Sequence, residues 1–311
     1  MRPELTQAAE LLSRNTPEAV EEAIGLLQST VYSFSMKVCG HPEDAEDTMQ
    51  EVLYRSLEYL AKIQDPQALA VWLYTVTRNR CWRMRRKSAH APKQTLSLDE
   101  LMPDDVELSR LLADAAATPE ENLLHSERHQ LLHRAVLRIP AQLRIVLVLQ
   151  DMEDLSSEQV AQILGLQVGT VRVRLHRARL AVRKEMSRVL DELPAEAAPQ
   201  EKPEAPVKKS RSRKGLSKKP DRPQDCRQLF AGLSEYLDGR VEPRTCEEMR
   251  LHIEACPACV VFLQDLRQAI DRCRSLEVPC DPVVAPRLRA ILTQEYLRMI
   301  GVPVLEKTSV T

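Results

Sequence analysis

Near the end of the chain, His252-Ile253-Glu254-Ala255-Cys256-Pro257-Ala258-Cys259 sets one imidazole and two thiols at H-x3-C-x2-C spacing. Neutral imidazole and thiolate are the donors from which closed tetrahedral zinc sites are built. The spacing puts the histidine in the last turn of one helix and the cysteines on a knuckle leading into the next. Pro257 agrees with this, because it disfavours a continuous helix there and suits the first turn of a new one. Three ligands require a fourth, and two cysteines compete for the place. Cys226 lies 26 residues before His252, while Cys246 would stand near the start of the helix that ends at His252, more than one turn away. A redox pair of the thioredoxin kind would need a strand–helix context that is absent here. A site closed by four protein ligands leaves no open coordination position and has no general base beside it, so the pattern argues against a zinc enzyme. The expectation is one zinc per chain, structural in a domain too small to fold securely on its core, with redox sensing by its oxidisable thiolates as a second role. Cys273 and Cys280 are expected to pack in or after the following helix, and Cys39 and Cys81 to act as small apolar residues.

A second constellation carries charge. Gly169-Thr170-Val171-Arg172-Val173-Arg174-Leu175-His176-Arg177-Ala178-Arg179 follows a short helix and the turn Leu164-Gly165-Leu166. Ser156 stands as the N-cap of the short helix, and Val160, Ile163 and Leu164 share one of its faces. This is the layout of a helix-turn-helix whose second helix enters the DNA major groove. Val171, Leu175 and Ala178 should then face inward. An arginine-rich helix can equally be an ordinary solvated face, so the surrounding elements decide.

Those elements are helical. The chain has 311 residues, only 8 glycines and 4% aromatics, and its apolar residues recur at three-to-four spacing with no sustained alternation of period two. The fold class is therefore all-α. The longest apolar run, Ile145 to Leu149, is too short for a bilayer, and Met1-Arg2-Pro3-Glu4 has no apolar signal core. The expectation is a cytoplasmic protein with no membrane partner, and clustered cysteines in a reducing compartment favour metal over disulfides.

The net charge of -1 conceals segregation. Arg78 to Ser88 holds six Lys or Arg and no acid, whereas Asp99 to Glu121 holds eight acids and the single Arg110. Pro194 to Pro223 is rich in Pro, Ala, Lys, Arg and Ser and reads as a flexible tether that cannot bury a core. In the first unit Val20, Ile24, Leu27, Val31, Phe34 and Val38 form one apolar stripe, and Met49, Leu53, Leu57 and Leu60 form a second. Between the stripes, Asp44, Glu46, Asp47, Gln50 and Glu51 crowd the first turns of a helix, where acids complement the helix dipole. A third helix runs through Trp72, which shares its apolar face with Leu69 and Val76, into the basic stretch. A last helix is expected over about Pro286 to Ile300, with Leu288, Ile291, Leu292, Tyr296 and Met299, either capping the metal domain or contacting the earlier ones.

Asp44-Ala45-Glu46-Asp47-Thr48-Met49-Gln50-Glu51, Ala70-Val71-Trp72-Leu73-Tyr74-Thr75-Val76-Thr77-Arg78-Asn79 and Ile139-Pro140-Ala141-Gln142-Leu143-Arg144, leading in order to Gly169-Thr170-Val171-Arg172, resemble the two domains of an extracytoplasmic-function (ECF) sigma factor of bacterial RNA polymerase. The resemblance covers roughly residues 17 to 188. It implies that Asp44, Asp47, Gln50 and Glu51 bind the polymerase core. It implies that Arg78, Asn79, Arg83 and Arg86 contact the −10 element beside a base-capturing loop from Gln64 to Ala70. It further implies that Thr170, Arg172, Arg174, His176, Arg177 and Arg179 contact the −35 element. Cys226, ahead of Leu233-Ser234-Glu235-Tyr236-Leu237-Asp238-Gly239-Arg240, together with His252, Cys256 and Cys259, resembles a zinc-binding anti-sigma domain in which a cysteine near the start of the first helix completes the site.

The implied organisation is a sigma domain over 17–88, an acidic linker over 89–119, a helix-turn-helix sigma domain over 120–193, a basic linker over 194–224, a zinc-binding anti-sigma-like domain over 225–275, and a C-terminal helix and tail over 276–311. The implied function is promoter-directed transcription initiation without catalysis, with RNA polymerase core and promoter DNA as partners. The zinc domain would touch the sigma domains of its own chain and regulate them. The alternative from another class is a DNA-binding signalling adaptor that acts through protein interactions.

Overall fold

A computed structural model describes residues 2–60, 62, 65–86, 125–191, 232–276, 278–280 and 284–302. Every regular element among the described residues is a helix. The linkers expected over 89–119 and 194–224, and Cys226, lie outside the described residues.

Proline and aspartate punctuate the first bundle. α1 (Pro3–Ser13) and α2 (Pro17–Cys39) each begin on a proline, whose missing amide costs no intrahelical bond in the first turn. Between them Asn15 takes φ 53°, and the Thr16 hydroxyl caps α2 by accepting from the Ala19 amide at 3.3 Å. α3 (Pro42–Leu60) and α4 (Pro66–Arg86) also start on proline. Asp65 caps α4, accepting from the amides of Gln67 and Ala68 at 3.3 and 3.0 Å. The two predicted stripes on α2 and α3 are buried against each other. α1 was not foreseen. Its Leu5, Leu11 and Leu12 are buried against α2 and α4, each worth about 1.5–3 kcal/mol relative to exposure, so α1 is an integral helix of this bundle.

The second bundle comprises α5 (His125–Arg138), α6 (Ala141–Leu147), one π turn over Val148–Met152, α7 (Ser157–Leu164) and α8 (Val168–Asp191). Ser156 makes a full capping box: its hydroxyl accepts from the Gln159 amide at 3.2 Å, and the Gln159 side chain accepts from the Ser156 amide at 2.9 Å. Gly165, at φ 65°, ends α7 and swings the chain into α8. Val171, Leu175 and Ala178 face the interior as the spacing predicts.

The two bundles touch. Gly40 ends α2 at φ 83°, a conformation that favours glycine, and a Cβ there would come within 2.7 Å of the Leu137 side-chain tip of α5, which would have to shift. A helical turn over 232–237 follows, then α9 (Pro243–Ala255), α10 (Pro257–Arg274) and α11 (Val284–Met299). α10 packs on α8 and the π turn. α11 lies on α2 and α3, where Leu292, Tyr296 and Leu297 are buried. The Gln28 amide donates to the Ala285 carbonyl at 3.2 Å, and Arg289 Nε donates to Gln28 Oε1 at 3.3 Å. Of the two positions open to the last helix in the sequence, the structure places it on the first bundle.

Candidate metal centre and nucleic-acid interface

The knuckle forms as its proline requires. α9 ends just before Cys256, which is extended at φ −119°, ψ 103°, and Pro257 opens α10. His252, Cys256 and Cys259 are thereby gathered, with donor atoms all within 4.8 Å of one another. Cys259 Sγ lies 3.5 Å from His252 Nε2. Tetrahedral zinc with its usual bond lengths to sulfur and nitrogen gives an S···N edge of about 3.6 Å, which this Cys259–His252 edge matches. Cys246, half-buried on α9, is not in this group. Among the described residues, therefore, the structure gathers three of the candidate ligands and leaves Cys246 out of that group.

α8 divides into two halves. In its first half Arg172 is exposed, 4.0 Å from the exposed Glu158, while Thr170, Arg174 and Arg177 are half-buried. In the second half Arg179 and Arg183 turn inward, while Arg188 stays exposed. Arg179 is 1% exposed and holds Asp151 through two bonds of 2.8 and 2.6 Å. It also donates to Asp238 at 2.9 Å and to the Ser234 hydroxyl at 2.8 Å, in the segment before α9. Burial alone would pull the Arg179 pKa down, but the bonds and charges of Asp151 and then Asp238 outweigh it and hold the pKa above its ordinary value. Arg183 pairs with Asp265 of α10 at 3.1 Å and stacks on Phe262, 4.7 Å from the ring centre. Arg240 donates to Ser157 of α7 at 2.7 Å.

Two of the expected DNA ligands, Arg179 and His176, are buried in this structure. Arg179 is held by the buried Asp151 and the half-buried Asp238. His176 is 8% exposed, and burial, with Arg179 and Arg177 nearby, pushes its pKa down to about 4.

In the first bundle, Arg78 donates to Asn79 Oδ1 at 2.6 Å, and burial lowers the Arg78 pKa. Arg78, Asn79 and Trp82 of α4 line a cavity of about 450 Å³ together with Gln142, Ile145, Leu164, Leu166 and Arg174 of the second bundle. The expected −10 and −35 contacts therefore face each other. The side chains of Arg83 and Arg86 lie outside the described residues, as does Gln64 of the expected loop. Trp72 is half-buried against the core, its ring 5.3 Å from that of Tyr59. On α3, Asp47 and Gln50 are exposed and Asp44 is half-buried. Glu51 is engaged within the bundle, by Arg80 at 2.6 Å and Arg55 at 3.1 Å.

Asp151, Glu153, Lys37 and Tyr74 were missed in the sequence. The available signal was the acidic cluster Asp151, Glu153, Asp154 directly after the apolar run Ile145 to Leu149, with no glycine or proline between them. Acids so placed must leave the core or find buried cations.

Comparison with known proteins accords with this geometry. The Sigma-70 region 2 family matches residues 24–91, the Sigma-70, region 4 family residues 129–182, and a zinc-finger family residues 226–259. The chain is 25% identical over 177 residues to the ECF RNA polymerase sigma factor SigW of Bacillus subtilis, a match covering 56% of this chain and 92% of the relative. It is 25% identical over 189 residues to the RNA polymerase sigma-H factor of Pseudomonas aeruginosa, covering 60% and 95%. It is 28% identical over 139 residues to the ECF RNA polymerase sigma-E factor of Escherichia coli K12, covering 45% and 72%. These relatives belong to a non-catalytic family and are matched over most of their length by part of this chain. No helix among the described residues is long and apolar enough to cross a membrane.

Proposed function

We propose that this chain, which carries the two domains of an ECF sigma factor followed by a zinc-finger domain, directs RNA polymerase core to promoters when open and is held closed by its own C-terminal third. In the open form Asp44, Asp47, Gln50 and Glu51 bind the core. Arg78, Asn79, Arg83 and Arg86 contact the −10 element, and Thr170, Arg172, Arg174 and Arg177 contact the −35 element. Cys226 joins His252, Cys256 and Cys259 on one zinc ion, and a bound zinc supplies structural cross-linking of α9 to α10 and the segment before them. The domain boundaries are those expected from the sequence, with α1 added to the first, and the protein works in the cytoplasm.

The observation that carries the closed-form reading is the shared cavity. Promoter elements centred 25 base pairs apart lie roughly 85 Å apart along B-DNA at ~3.4 Å per step. Arg78 and Arg174 line one cavity of about 450 Å³ and cannot reach both elements at once. Asn79 already accepts a bond from Arg78 on its amide oxygen, which would compete with its use on an adenine edge. The C-terminal third supports this state from two sides: α10 and Asp238 grip the second half of α8, and α11 packs on α2 and α3 of the first bundle, where Asp47 and Gln50 stay exposed. A tether of about 30 residues spans roughly 30 Å and keeps the zinc module at high local concentration, so even modest docking is populated.

The test is run-off transcription with purified core at fixed salt, comparing the full chain with one ending near Leu193. The shorter chain is expected to be the more active. Equal activity under reducing, oxidising and zinc-loaded conditions would remove the regulatory role.

A further inference from the structure

The π turn Val148–Met152 delivers two carboxylates in opposite directions. Asp151, inside the turn, holds Arg179 of its own domain. Glu153, immediately after it, is 1% exposed and crosses to the first bundle. Its Oε1 accepts from Lys37 Nζ of α2 at 3.0 Å, and its Oε2 accepts from the Tyr74 hydroxyl of α4 at 2.7 Å and from Arg2 Nε at 3.0 Å. Arg2 Nε also reaches the Met152 carbonyl at 3.1 Å. Lys37 is fully buried, Tyr74 nearly so, and the Phe34 ring packs 5.0 Å from the Tyr74 ring and fixes the phenol's direction. The turn itself aims the glutamate: the Glu153 amide donates to the Val148 carbonyl, five residues back, at 2.9 Å. Single π turns of this kind are frequent at functional positions.

A lysine ammonium with no solvent access is tolerable only beside a compensating charge, and Glu153 supplies it from 116 residues away. When the bundles part, all of these groups must be solvated together. Partial opening strands a buried charge, which makes the seam two-state rather than continuously deformable.

We infer that the face formed by Lys37, Tyr74 and Arg2 is a docking site for the carboxylate-bearing π turn of the second bundle, and that this Glu153 anchor closes the two DNA-reading domains on each other independently of the zinc module. The inference rests on the sigma-factor reading above, in which the two domains separate to reach different promoter elements. The chain then has two latches. The Asp238 and Asp265 contacts hold the zinc module to α8, and Glu153 holds the two sigma domains together. Releasing the first leaves the second shut.

Small-angle scattering of the zinc-loaded full chain tests this with three changes: Glu153→Gln, the pair Asp238→Ala with Asp265→Ala, and all three together. The zinc-latch pair alone is expected to leave the sigma halves together, and the triple variant to give the largest radius of gyration. Loss of one charged bond shifts the closed–open ratio by roughly ten- to a hundredfold. Tyr74→Phe, which keeps the ring against Phe34, is expected to act in the same direction more weakly, and it separates loss of the anchor from loss of folding. A zinc-latch pair that expands as far as the triple variant would overturn the anchor, as would a triple variant no larger than the pair with Tyr74→Phe also silent. Run-off transcription on the same samples separates this from the parent reading. A triple variant that expands yet initiates at no promoter would sink the sigma-factor reading and leave the anchor standing.

Discussion

Arg172 and Arg179 stand seven residues apart on α8 and are chemically identical, yet their surroundings give them opposite roles. Arg172 projects to solvent with a loose partner at 4.0 Å, as a groove-reading side chain must. Arg179 is enclosed, satisfied by Asp151, Asp238 and Ser234, and ties the helix-turn-helix bundle to the zinc module. On the proposed reading, one helix therefore carries a half that would face DNA and a half that holds the C-terminal third. A basic helix is thus not uniformly a DNA-binding helix, because the burial of each arginine depends on carboxylates elsewhere in the chain.

The largest disruption of this contrast should come from the metal. Cys256→Ser is expected to abolish zinc binding and most of the helicity of α9 and α10, since metal binding in such small modules is coupled to folding. Zinc content and circular dichroism check it, and stoichiometric zinc retained by Cys256→Ser with Cys259→Ser would refute the site. Loss in Cys226→Ser with retention in Cys246→Ser would fix the fourth ligand.

Arg179→Met comes next. It strands Asp151 in the interior and is expected to cost about 3–5 kcal/mol in denaturant unfolding, whereas Arg172→Met should stay within about 0.5 kcal/mol of the parent. Equal effects would erase the distinction between the two halves of α8.

His176, between the halves, offers a pH readout. Its folded pKa of about 4 lies below the unfolded value near 6.5, so the unfolded chain binds the proton first. The stability it permits is complete above about pH 6.5 and falls as pH drops towards 4, by roughly 3 kcal/mol in all. His176→Leu should flatten that part of the stability–pH curve, and an unchanged slope would place the titration elsewhere.

The smallest effect on folding and the most specific effect on function belong to the first half of α8. Arg174→Ala should leave stability nearly unchanged while weakening use of the −35 element by about 1–3 kcal/mol if it reads a base, with relaxed preference at one position. Asp47→Lys should instead lower core binding on every promoter alike. Normal transcription by both variants would overturn these roles.

Much of this was legible in the sequence because it is local. Ser156, Gly165 and the inward set Val171, Leu175 and Ala178 define the helix-turn-helix within one stretch. His252, Cys256, Pro257 and Cys259 define the knuckle within eight residues. The unforeseen features are those that depend on distant partners. Arg179 meets Asp238 across 59 residues and Lys37 meets Glu153 across 116, and no periodicity encodes such pairings. α1 is a different case. Its apolar residues have helical spacing, but a helix of 11 residues is marginal alone, and only packing on α2 and α4 makes it an element.

The central claim, that the closed arrangement is the inactive one, is tested most directly by run-off transcription with purified core using the zinc-loaded full chain and its Asp238→Ala, Asp265→Ala variant. These changes leave every proposed DNA and core contact untouched and remove the carboxylates that hold the zinc module to Arg179 and Arg183. The predicted result is little change from this pair alone and a rise in promoter-specific transcript once Glu153→Gln is added to it. Unchanged transcription from all of these proteins, at equal folding and zinc content, would contradict it.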